Sequence, residues 1–167
     1  TFPPEQYKIS PQLLDASHFI EQAKNHGNVC ISNFLLKNIK GFSPLLCDEI
    51  CFRAGIDEKA AISSISDDML QRLRHALEEI TSIIMNSEFT PCIIWSSESR
   101  EKPLDFHAIK MSQYETADFF KSISLLLDSF YTARDNINRL TQRKADLVKV
   151  LNNSISRCNK KISIHRD

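Results

Sequence analysis

Asn38-Ile39-Lys40-Gly41-Phe42-Ser43-Pro44 writes a helix end, a turn and a new helix start into seven residues. Gly41 lacks a Cβ and can take the left-handed conformation that ends a helix. Ser43 can accept a bond from a free N–H of the following helix. Pro44 falls at that helix's first position, where a missing N–H costs nothing. Upstream, Val29, Ile31, Phe34, Leu35 and Ile39 are spaced as a helix. Downstream, Leu45–Ala54 is the next helix, stopped at Gly55. The seed of the fold is therefore a helical hairpin.

Outward from it, Asp15 can N-cap a helix that runs to about Lys24 and ends in Asn25–Asn28, around Gly27. Asp57 or Glu58 opens a short element. Ser66, followed by Asp67 and Asp68, starts an amphipathic helix to about Asn86, with Met69, Leu73, Leu77, Ile80, Ile83 and Ile84 on its apolar side. The pattern changes after Phe89. Thr90–Trp95 is apolar and partly β-branched, which predicts a strand in which Trp95 packs; Ser96–Pro103 is a polar loop, and Leu104–Met111 predicts a second strand. Two strands alone are marginal, so the pair is expected to belong to a sheet whose other strands lie outside this sequence.

From about Thr116 onward there is neither Gly nor Pro. Phe130, Ala133, Ile137, Leu140, Lys144, Leu147, Leu151, Ser154 and Cys158 follow a heptad seam with Lys144 and Ser154 as polar defects. They predict one helix of roughly 40 residues, about 60 Å long at 1.5 Å per residue. That is too long for a compact domain of this size and implies a coiled-coil arm.

Composition narrows the function classes. The chain has 167 residues, 42% hydrophobic and 25% charged, which are ordinary globular values. No apolar run approaches a membrane span. Only 3 glycines are present, too few for a turn-rich β sandwich or a Gly-rich nucleotide loop. Five cysteines, with no CxxC and no signal peptide, fit a reducing, cytoplasmic setting. Cys47 and Cys51 share a helix face but have no further ligands at metal spacing, so they read as buried small side chains. The chain starts at Thr1, which suggests a processed product or a piece of something longer.

The net charge of zero conceals an asymmetry. Residues 1–110 carry 11 basic and 15 acidic side chains, net −4, whereas residues 111–167 carry 10 and 6, net +4. Within 134–166, 9 basic residues face only Asp135 and Asp146.

Two constellations bear on function, each with a plainer alternative. The hairpin can present backbone N–H groups and a helix N-terminus to a phosphate, with Gly41 permitting close approach and Lys37 and Lys40 adding charge. Equally, it can be an αα-corner of a small helical core, and it has one Gly where such phosphate-binding hairpins usually have two. The basic residues Arg134, Arg139, Arg143, Lys144 and Lys149 can lie along RNA, which needs point charges on a rigid strut. They also suit the solvated face of a coiled coil. The five histidines form no HExxH and no serine lies in GxSxG, so no active site, cofactor or metal is expected.

Taken together, the segments resemble the NFACT family, also called the fibronectin-binding protein A-like family, whose members are ribosome quality-control factors of the RqcH and NEMF type. Pro3-Pro4-Glu5-Gln6-Tyr7-Lys8-Ile9-Ser10-Pro11 looks like the family's PPxQxKxxP stretch. Phe34 through Leu46, then Glu49-Ile50-Cys51-Phe52-Arg53-Ala54-Gly55, looks like its FLxxxFxGISPLLAxEIxxRAG helix-hairpin-helix block, with Phe42 in place of the usual Ile. Pro91–Ile94 and Pro103–Phe106 match its short strands. Ser122–Tyr131, Arg139-Leu140 and Lys144–Leu147 resemble the start of its coiled coil.

The resemblance implies a mainly α fold: a helix-hairpin-helix domain with a short β pair, followed by a long coiled-coil helix. Residues 1–14 would be an extended connector from an N-terminal domain outside this sequence. Residues 15–88 would be the helix-hairpin-helix domain, 89–111 the short β segment and 112–167 the first arm of the coiled coil. It further implies binding to stalled large ribosomal subunits (rRNA and ribosomal proteins) and to tRNA. The outcome would be untemplated C-terminal alanine tailing, with the ribosome's own centre making the bond. Lys37, Lys40, Gly41, Phe42, Ser43 and the five arm cations are the expected nucleic-acid contacts. A protein-interaction scaffold, including a fibronectin-binding adhesin, and a DNA-repair hairpin module are the competing readings. The arm lacks its returning partner, so a homodimer through its seam is expected.

Overall fold

The computed structural model describes residues 7–164. It is mainly helical, with one small sheet and a long C-terminal helix. Helices α1 (Ala16–Lys24), α2 (Ile31–Asn38), α3 (Pro44–Ala54) and α4 (Asp67–Asn86) pack around one apolar core. Local chemistry sets their starts. Asp15 accepts from the amides of Ser17 and His18 at 3.0 and 3.2 Å, Ser43 from Leu46 at 3.2 Å, and Ser66 from Met69 at 3.3 Å. Gly55 closes α3 in the left-handed conformation at φ 68°. A Ser32 Oγ donation to Asp48 Oδ1 at 2.6 Å fastens α2 to α3.

Two local expectations shift. Gly41 is left-handed, at φ 81°, but α2 has already ended at Asn38 because Ile39 is extended. Helix α1 ends at Lys24, where it was expected to. On α4 the inward residue of the first turn is Leu70, 4% exposed, and Met69 faces outward. At 100° per residue Leu70 and Met69 lie about equally far, on opposite sides, from the mean direction of Leu73, Leu77 and Ile80, so periodicity does not separate them and packing decides.

Strands β1 (Cys92–Trp95), β2 (Pro103–His107) and β3 (Ala117–Phe119) form an antiparallel sheet in the order β2-β1-β3. The expected partner strand outside the sequence is therefore supplied from within it. Residues 112–122, which were expected to open the arm, instead hold β3 and the turn leading into α5 (Ile123–Ile164). Alternation along β1 divides the sheet's two faces. Cys92 and Ile94 enter the helical core, while Ile93 faces Leu126 and Phe130 of α5. Trp95 packs beside that second cluster, and its Nε1–H donates to Asp118 Oδ2 at 3.0 Å. The sheet is thus a partition, with the helical head on one side and the root of α5 on the other.

Residues 1–6 of the expected connector lie outside the described residues. In the part that follows, Ile9 is docked on the hairpin, and Pro11–Leu13 forms a short 3-10 helix where an extended chain was expected. Ile9 pairs in parallel with Ile39, donating to Asn38 O at 2.8 Å and accepting from the Lys40 amide at 2.9 Å. Lys8 Nζ donates to Leu36 O at 2.8 Å.

Candidate nucleic-acid interface

The hairpin sits where α2 and α3 meet. Lys37, Lys40 and Gly41 are exposed, and Ser43 is half-buried with its hydroxyl engaged as the α3 cap. Phe42 corrects the expectation. At 7% exposure it belongs to the core, so it anchors the turn and leaves the contact surface. A short turn between two packed helices needs apolar side chains to pin it, and Ile39 and Phe42, both buried in the core, do so.

The Lys40 amide is spent on Ile9, which removes one potential phosphate donor. The Gly41 amide makes no bond among the described residues. A Cβ at Gly41 would meet nothing within 4 Å, so the backbone there is open to approach. The turn therefore offers the Gly41 amide, an accessible surface and the Lys40 ammonium to an anion.

The second set of candidates lies on α5, a helix of 42 residues. Leu126 and Phe130 root it against Ile93, and Phe106 stacks edge-on against Phe130 with ring centroids 4.8 Å apart. Beyond Ile137 every side chain through Ile162 is exposed. Arg134, Arg139, Arg143, Lys144 and Lys149 all stand in solvent, and none forms an ion pair among the described residues. Arg134 lines a cleft of about 370 Å³ at the root together with Lys102 and Leu104. The structure does not gather the two sets into one pocket: the hairpin belongs to the helical core and the arm to the opposite side of the sheet.

Two features escaped the sequence. Glu49 on α3 is fully buried. Its Oε1 accepts from Arg53 Nε at 2.7 Å and from the Ser112 amide at 2.8 Å, and its Oε2 accepts from the Gln113 amide at 3.1 Å. Arg53 continues to Glu79 Oε1 at 2.7 Å and Lys110 O at 2.9 Å. This cluster ties the β segment to the helices. Its one sequence signal was a carboxylate and a guanidinium four residues apart on a largely apolar helix. The second feature is a groove beside the hairpin, shared by Phe42, Phe89 and His107. Its walls come from three distant parts of the chain, which no local pattern connects.

The remaining titratable groups of the core are inert. Burial pushes the thiols of Cys47 and Cys51 up to about 12, and that of Cys92 upward as well. No helix among the described residues is long and apolar enough to cross a membrane.

The family model for NFACT N-terminal and middle domains matches residues 1–167. No curated protein matches the chain.

Proposed function

Because the chain belongs to the family of NFACT N-terminal and middle domains, we propose that it is the RNA-binding middle part of a ribosome quality-control factor. In this reading the turn from Lys40 to Ser43 is a helix-hairpin-helix element that meets phosphate. The basic arm lies along rRNA or ribosomal protein of a stalled large subunit in the cytoplasm, and tRNA is the second RNA partner. The whole factor would promote untemplated alanine tailing of the nascent chain. The ribosome's own centre would form the peptide bonds, so this chain's contribution is positioning.

The observation that carries the proposal is the arm. Its cations project from a single exposed helix and form no ion pair among the described residues, and a rod of spaced positive charge suits a polyphosphate surface. The test reverses Arg139, Arg143, Lys144 and Lys149 to Glu together. All four are exposed, so the head keeps its fold. Association with purified large subunits should fall by at least tenfold, and the wild-type affinity should decline steeply with salt. Unchanged association at moderate salt would remove the arm as a contact. Salt-insensitive binding to a protein, with none to rRNA or tRNA, would favour the scaffold or adhesin reading.

A further inference from the structure

The groove beside the hairpin has a volume of about 370 Å³, within the range of small-ligand sites. Three kinds of group meet there. Lys40 and Gly41 form a rim of positive charge and open backbone, and no carboxylate lines the groove. Phe89, 48% exposed, lies beside the buried Phe42. His107, opposite Cys92 in the β1–β2 register, completes the wall.

The histidine has a defined tautomer. Its Nδ1 accepts from the Ile109 amide at 3.0 Å, so the proton of the neutral ring resides on Nε2. Burial lowers its pKa, which keeps the ring neutral near pH 7. The groove therefore combines an exposed aromatic face, a hydrogen-bond donor and a cationic rim.

From this combination we infer that the groove is a subsite for one unpaired ribonucleotide, its base against Phe89 and its phosphate toward Lys40. An apolar peptide would use the aromatic wall but leave the cation idle. A base has a flat apolar face, acceptor edges for an N–H, and an attached anion, so it uses all three. The inference rests on the RNA-binding reading above and deepens it: the hairpin would read single-stranded segments and not only phosphate.

The test measures binding of the chain to oligouridine and to a fully paired RNA duplex of equal length. Phe89→Ala should weaken oligouridine binding about tenfold and leave the duplex unchanged. Phe89→Tyr, which keeps an aromatic face, should retain it. Lys40→Glu should weaken both. If Phe89→Ala changes neither RNA, or both alike, while the wild type binds RNA, the subsite is overturned and the RNA reading stands. If the wild type binds neither RNA, both fall. If an uncharged apolar peptide binds in a Phe89-dependent way and oligouridine does not, the groove docks protein and the proposal is overturned.

Discussion

Glu49, fully buried, accepts from Arg53 Nε one helical turn away at 2.7 Å, and the same carboxylate holds the amides of Ser112 and Gln113. A buried ion pair contributes little net stability over an apolar pair of the same shape, but removing one partner strands the other. Glu49→Ala would leave the amides of the exposed Ser112 and the half-buried Gln113 without this acceptor, and Arg53 with only Glu79 as an anion among the described residues. Chemical denaturation should show a loss of about 3–5 kcal/mol. Hydrogen exchange at Ser112 and Gln113 should accelerate first. Glu49→Gln, which keeps an acceptor, should cost less. Equal protection at both amides in Glu49→Ala would show that this carboxylate does not fasten the segment.

His107 makes stability depend on pH. Burial disfavours its charged form and holds its pKa below the usual histidine value, against weaker opposing pulls from the Ile109 backbone and then from Asp105 and Glu49. The unfolded chain then takes up the proton more readily than the folded one. Stability is accordingly greatest above the unfolded value and falls as pH drops through it toward the folded value. His107→Asn keeps an acceptor for the Ile109 amide and removes the titration. Between about pH 7 and about pH 5 the wild type should lose more stability than this variant. Parallel pH profiles would rule out the His107 contribution.

The arm's seam and its charges pull in opposite directions. Leu140, Leu147 and Leu151 are each at least 60% exposed, which favours association with a second copy. Lys144 lies on the seam and Arg134, Arg143 and Arg157 flank it, with no acidic residue at the seam or flanking positions between 130 and 158. A homodimer should therefore be weak at low salt and strengthen as salt screens the repulsion, the reverse of the RNA affinity. Sedimentation from about 50 mM to about 500 mM salt should show the dimer growing, and Leu147→Arg should abolish it. A strict monomer throughout would leave the seam without self-affinity.

What the sequence made legible was local. Asp15, Ser43 and Ser66 were readable as caps because a cap is specified by a side chain and an amide two or three residues away. The arm was readable because its heptad spacing persists without Gly or Pro. The burial of Glu49 was not readable, since its amide partners lie 63 and 64 residues on. Strand β3 is three residues long, too short for a periodic signal, and only its pairing with β1 defines it. Phe42 misled because a turn residue between Gly and Ser is expected to face solvent, whereas the packing of α2 against α3 draws it inward. The arm's candidate cations could be enumerated from sequence, but that none has an internal partner among the described residues required coordinates.

The root of α5 has a mechanical consequence. Leu126 and Phe130 hold its first turns, Ile137 is the last half-buried side chain, and beyond it every side chain through Ile162 is exposed. A cantilever of that kind converts small motions at the clamp into large ones at the tip: a swing of about 5° displaces the far end by about 5 Å over a length of about 60 Å. A single substitution that loosens Phe130 against Phe106 would thus be felt most strongly tens of ångströms from where it was made.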